Sequence, residues 1–167
     1  MKRFSHNQKN NKPREVTMIR NSVKAIILVD GDILLIKNKI SEEYFYICPG
    51  GGQEHGETFH ETLQRECLEE IGASVHIGEL LFIREYIGKN HEHAAFDADV
   101  HQVEYYFLCQ LHEQLQQPSN PDSHQIGTEW VSVARLHEFQ LYPKALIPQL
   151  QRYEQGLQTT IYLGDIN

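Results

Sequence analysis

Apolar residues fall along this chain in two periods, and the change from one to the other marks where strands give way to a helix. Ser22 to Val29 and Ile33 to Lys37 are runs rich in Ile and Val, joined by Asp30-Gly31-Asp32, the composition of a tight hairpin turn. Tyr44 to Cys48 reads as a third strand, stopped by Pro49 and the run Gly50-Gly51-Gly52, whose backbone can approach a ligand closely. The period then lengthens. Phe59, Leu63, Cys67 and Ile71 recur every four residues, which predicts a helix over Thr58 to Ile71 with that stripe toward the core, an acidic face turned away from it, and Gly72 as the stop.

Alternation returns at Ala73, Val75 and Ile77 and runs into the apolar stretch Leu80 to Tyr86, an extended segment continuing into a strand. Gly88 to Gln102 reads as a long polar loop and Val103 to Leu111 as an aromatic-rich strand placed centrally in a sheet. Pro118 to Gly127 has turn chemistry, Glu129 to Val133 is strand-like, and Pro143 to Tyr153 reads as a helix opened by proline and kinked or shortened at Pro148. Residues 1–17 lack periodicity and are expected to form a flexible arm, residues 18–155 one domain, and residues 156–167 a tail. Within that tail Ile161, Tyr162 and Leu163 offer a further strand or a contact with a partner chain.

Composition narrows the class of function. A length of 167 residues suits one ordinary domain, and 15 Lys and Arg against 23 Asp and Glu give a net charge of −8, which argues against binding duplex nucleic acid. Cys48, Cys67 and Cys109 are odd in number and lack a CxxC spacing, so neither a disulfide framework nor a zinc cluster is indicated, and a reducing cytoplasm is the expected setting. No apolar stretch suits a signal peptide or a membrane span.

Glu66, Glu69 and Glu70 carry the chemistry. On a helix Glu69 lies about 60° to one side of Glu66 and Glu70 about 40° to the other, so the three carboxylates share one face. Oxygen ligands of this kind suit hard Mg²⁺, with Mn²⁺ as a substitute, better than thiols or imidazoles do. A solvated acidic face is the plain alternative, since like charges at these spacings cost only roughly 0.2–0.5 kcal/mol per pair. The neighbours decide between them. From Gly51 the chain runs five residues to Glu57, seven to Arg65-Glu66, two to Glu69-Glu70 and one to Gly72, preceded by Pro49-Gly50. This pattern resembles the Nudix box, with Cys67 and Ala73 standing where bulkier aliphatic residues are usual.

The resemblance implies an α/β/α sandwich around a mixed β-sheet and metal-dependent hydrolysis of a phosphoanhydride. The implied substrate is a nucleoside diphosphate linked to another moiety: a nucleotide sugar such as ADP-ribose, a nucleoside triphosphate, or a dinucleoside polyphosphate. By the same resemblance Glu66, Glu69 and Glu70 are metal ligands, the Gly50 carbonyl joins them, and Arg65 pairs with Glu57. On a straight helix Glu57 and Arg65 would stand about 12 Å apart, so that pairing requires Glu57 to lie in a folded-back loop. A base or further ligand from outside the box is expected among Glu104, Asp122, His124 and Glu129, with Glu104 and Glu129 ranked first. His91, His93 and His101 lack regular ligand spacing, and Tyr86, Phe96, Tyr105 and Trp130 are read as core aromatics before base-stacking ones. A nucleotide-binding regulatory module, or an isomerase on the same fold, is the competing class, against which the intact glutamates speak. Homodimers are frequent among such proteins.

Overall fold

A computed structural model describes residues 18–112 and 115–167; the expected N-terminal arm lies outside the described residues. The strands are β1 (Arg20–Val29), β2 (Asp32–Ile40), β3 (Glu43–Ile47), β4 (Val75–Ile87), β5 (His101–Leu111), β6 (Gln125–Ser132) and β7 (Tyr162–Asp165), and the helices α1 (Phe59–Ile71), α2 (Ala94–Asp97) and α3 (Leu146–Glu154). They form one mixed sheet in the order β3-β2-β1-β5-β4-β7, with β6 paired to β2. β5 is central, parallel to β1 and antiparallel to β4.

The two faces of the sheet follow from alternation in β1 and β2. Val23, Ala25 and Ile27, with Leu34 and Ile36, pack against Leu63, Cys67 and Ile71 of α1. Ile26, Ile33 and Leu35 pack on the opposite face against Leu146 and Leu150 of α3. The result is a sheet with a helix on each face, as the resemblance implied.

One feature of the pairing creates the site. β1 meets β2 only beside their turn, at Leu28 with Ile33 and Val29 with Asp32, and the two strands then diverge. β3 takes up the freed edge of β2 from Ile36 to Ile40. The freed edge of β1 is taken by the glycine-rich loop: Val23 N–H donates to the Gly51 carbonyl at 2.9 Å and Ala25 N–H to that of Pro49 at 2.8 Å. The loop thus enters the sheet without being a strand, and its backbone groups are satisfied there.

α1 starts on a reciprocal cap. Thr58 Oγ1 accepts from Glu61 N–H at 3.3 Å, and the Glu61 carboxylate accepts from Thr58 N–H at 2.7 Å. Gly72 closes the helix in the left-handed region, at φ 62°. Its last carbonyls are taken by the segment after β5: Ser119 Oγ bonds that of Leu68, Asn120 N–H that of Glu69 and Gln125 Nε2 that of Glu70. This anchoring brings Asn120 and Asp122 beside the acidic face.

Four expectations change in detail. Gly88 to Gln102 is not a plain loop: it holds a 3-10 turn (Gly88–Asn90) and α2, and β5 begins at His101. Its backbone groups are satisfied locally, as in His91 N–H to Gly88 O, and by the tail, since Asp165 accepts from Ile87 N–H, Asn90 and the His91 ring. β6 begins earlier than expected, at Gln125, because β2 extends to Ile40 and supplies partners, while Val133 passes into a 3-10 turn (Val133–Glu138). α3 begins at Leu146, after Pro143, so Pro148 stands in its first turn, where the missing N–H is not needed. Finally, the acidic face of α1 does not turn wholly away from the interior: Glu70 is 4% exposed. The Tyr162 region does add a strand, β7, parallel to β4.

Thr58→Ala removes the Oγ1 acceptor from the cap of α1 and is expected to lower stability by about 1 kcal/mol, read as a fall in urea midpoint with an unchanged slope.

Candidate functional site

The glycine loop, the polar side of α1 and the start of β1 enclose a cavity of about 490 Å³. Two glycines make the close packing feasible. Gly50 has φ 122°, and a Cβ there would run into the Val23 carbonyl oxygen; a Cβ on Gly51 would come within 2.6 Å of the Glu66 carboxylate. The loop therefore lies directly against both the sheet and the helix carboxylates.

Arg65 ties these parts together. Its Nε bonds Glu57 Oε1 at 2.7 Å and its Nη2 bonds Glu57 Oε2 at 2.9 Å, a two-pronged pair. The same guanidinium reaches the Gly52 carbonyl at 3.1 Å and Glu66 at 2.8 Å. Glu57 does lie in a folded-back segment, with Thr62 Oγ1 donating to it at 2.8 Å. The Arg65 guanidinium, helped by Glu54 N–H, holds the Glu57 carboxyl down at about 2.

Glu66, Glu69 and Glu70 all border the cavity, but in different environments. Glu66 and Glu69 keep side-chain exposures of 14% and 29% and face Arg65 Nη1 at 2.8 and 3.6 Å. Glu70 is buried, accepts Gly50 N–H at 2.7 Å, and is pushed up by burial to about 7, against the opposing pull of Lys24. Among the described residues, no three His, Cys, Asp or Glu side chains close into a cluster around a single point. The carboxylates that border the cavity are those of Glu54, Glu66, Glu69, Glu70 and Asp122, and with the Gly50 carbonyl they offer an all-oxygen donor set. That donor set fits a hard divalent cation.

The candidates outside the box separate clearly. Asp122 borders the cavity. Glu104 lies behind its wall, buried, accepting from Arg84 Nε at 2.5 Å, from Gln102 at 2.6 Å and from the Tyr106 hydroxyl. Burial pushes its carboxyl up, but Arg84 prevails and holds it below the usual range. Glu129 is engaged by Lys37 at 2.9 Å and Tyr46 at 3.0 Å, and the His124 carbonyl accepts from Lys39 N–H. The two carboxylates ranked first are thus held in ion pairs: strand pairing sets Glu104 directly opposite Arg84 and Glu129 diagonally across from Lys37, pairings that the sequence alone does not give.

Of the aromatic candidates, Tyr105 packs on Phe59 at 4.3 Å, Tyr86 stacks on His91 at 4.9 Å, and Phe96 and Trp130 are exposed. Cys48, Cys67 and Cys109 are free and buried, and burial pushes the Cys48 thiol up to about 12. Arg20, Ser22 and Lys24, which sequence reasoning passed over, also border the cavity. Their signal was present: Arg20, Ser22 and Lys24 stand at every second position of a strand that turns apolar after them.

Because the Glu57 carboxyl is lowered, its pairing contributes stability that is present above pH 4.5 and fades as pH falls toward 2. Glu57→Gln is therefore expected to be less stable than wild type at pH 7, with the difference closing between pH 4.5 and 2 in thermal unfolding curves.

A family model described as NUDIX domain matches residues 18–150. No curated protein matches the chain. Among solved structures, a NUDIX hydrolase from Nitrosomonas europaea superimposes with a TM-score of 0.67 at 21% identity, covering 85% of this chain and 93% of that one. An ADP-ribose pyrophosphatase from Streptococcus suis gives 0.63 at 20%, covering 89% and 100%, and a UDP-X diphosphatase gives 0.66 at 21%, covering 87% and 67%. With a matched family model spanning most of its length, and Gly51, Arg65, Glu66, Glu69 and Glu70 of the box bordering one cavity, the chain belongs to the Nudix hydrolase family.

Proposed function

We propose that this protein is a Mg²⁺-dependent pyrophosphatase that cleaves the phosphoanhydride of a nucleoside diphosphate linked to another moiety. Nucleotide sugars such as ADP-ribose, nucleoside triphosphates and dinucleoside polyphosphates are the substrate classes, and Mn²⁺ can replace Mg²⁺. The observation that carries this reading is the oxygen-donor array of α1 facing the backbone of the glycine loop across one cavity.

In this reading Glu66, Glu69, Glu70 and the Gly50 carbonyl hold the divalent cation. When bound, the cation screens the phosphate oxygens and lowers the pKa of water. The protein supplies position and charge. Arg65 and Glu57 lock the loop to the helix, so the carboxylates and the Gly50 carbonyl keep their relative places while substrate enters. Arg20 and Lys24 offer positive charge to an anionic substrate that the acidic residues would otherwise repel. One glutamate of the array takes the proton of the attacking water, and Asp122 is the candidate from outside the box. Glu104 and Glu129, already paired with Arg84 and Lys37, act in neither role. No helix among the described residues is long and apolar enough to cross a membrane, and three buried free thiols suit a reducing cytoplasm.

A chromatographic screen for the nucleotide and phosphate-ester products over these three substrate classes tests the reading. Activity is expected to disappear with EDTA and return with Mg²⁺ or Mn²⁺, and Glu69→Gln should lower kcat roughly a hundredfold or more. Turnover that persists in EDTA, or a variant as fast as wild type, would sink it.

A further inference from the structure

Lys24 projects from β1 into a cavity bordered by five carboxylates, and its ammonium already has a partner there. Nζ donates to the carbonyl oxygen of Gly50, while the N–H of the same glycine donates to Glu70 Oε2 at 2.7 Å. Of the other cations that border the cavity, Arg65 is engaged by Glu57, Glu66 and the Gly52 carbonyl, and Arg20 lies against Gly52. Lys24 thus supplies the positive charge at the inner end of the cavity, where Glu70 is most deeply buried.

We propose that Lys24 is a built-in counter-cation: it holds the Gly50 carbonyl when no divalent ion is bound, and a divalent ion must displace it from that oxygen. This rests on the reading of the cavity as the divalent-ion site. A carbonyl has two lone pairs, but an ammonium and a doubly charged ion meeting at one oxygen repel each other strongly in a partly desolvated cavity. One must leave. Lysine is suited to leaving, since its charge sits at the end of a flexible four-carbon stem, whereas Arg65 is fixed by a two-pronged pair. While in place, the ammonium offsets the charge of a carboxylate that would otherwise face its neighbours Glu66 and Asp122 without compensation. The loop and the helix are thereby kept together in the metal-free protein.

Displacement lowers the apparent metal affinity by the fraction of molecules in which the carbonyl is already taken. Mn²⁺ binding to the full chain, followed by the loss of the free-ion electron paramagnetic resonance signal, reads this directly. Lys24→Met keeps the stem without the charge and is expected to bind Mn²⁺ about three- to tenfold more tightly than wild type, with Lys24→Gln shifted in the same direction. The rise in melting temperature on adding Mn²⁺ should also be larger in Lys24→Met, whatever the variant's stability without metal, because tighter ligand binding stabilises the native state more. Wild type that binds Mn²⁺ while both variants bind it equally or more weakly would overturn the displacement and leave the divalent-ion site standing. Mn²⁺ that binds none of the three proteins would overturn both.

Discussion

Everything at the site depends on a stretch of irregular backbone being hydrogen-bonded as if it were a strand. Where β1 and β2 diverge, a length of sheet edge would be left with unpaired N–H and C=O groups, and the loop from Pro49 to Gly52 fills it through Val23 and Ala25. Only a residue without a side chain can occupy position 50, because a Cβ there would overlap the Val23 carbonyl. The consequence for chemistry is direct. The backbone of Gly50 is left with its N–H on Glu70 and its carbonyl on Lys24, both within the cavity.

The second constraint is electrostatic. Four glutamates, Asp122 and a glycine carbonyl around one cavity concentrate negative charge that a folded protein must balance. Arg65 balances Glu57 and Glu66, and Lys24 sits over the buried end. Glu70 shows the residual cost, its carboxyl raised to about 7 by burial. An ion pair of another kind lies just behind the wall, where Arg84 and Glu104 are both buried and further bound by Gln102, Tyr106 and the Ile166 carbonyl. Removing either partner there would leave an unpaired buried charge, so that pair helps fix the sheet behind the cavity.

The tail extends the same logic to the far side of the sheet. β7 pairs with β4, and Asp165 gathers Ile87, Asn90 and His91, which folds the segment after β4 into short helical turns and stacks His91 on Tyr86. A segment that reads as a loop is thereby ordered by residues some seventy positions away.

Local chemistry determined a good deal of this protein by itself. The hairpin at Asp30-Gly31, the period of α1, its cap at Thr58 and its stop at Gly72 depend on neighbours within a few residues, and the spacing from Gly51 to Gly72 carried the family. Tertiary structure decided what depends on partners distant in sequence. It committed Glu104 to Arg84 and Glu129 to Lys37, drew Asp122 to the cavity by capping the end of α1, buried Glu70, and set Lys24 on the Gly50 carbonyl. A carboxylate's role is fixed by the cation and the solvent it meets, and strand pairing between remote segments chooses both.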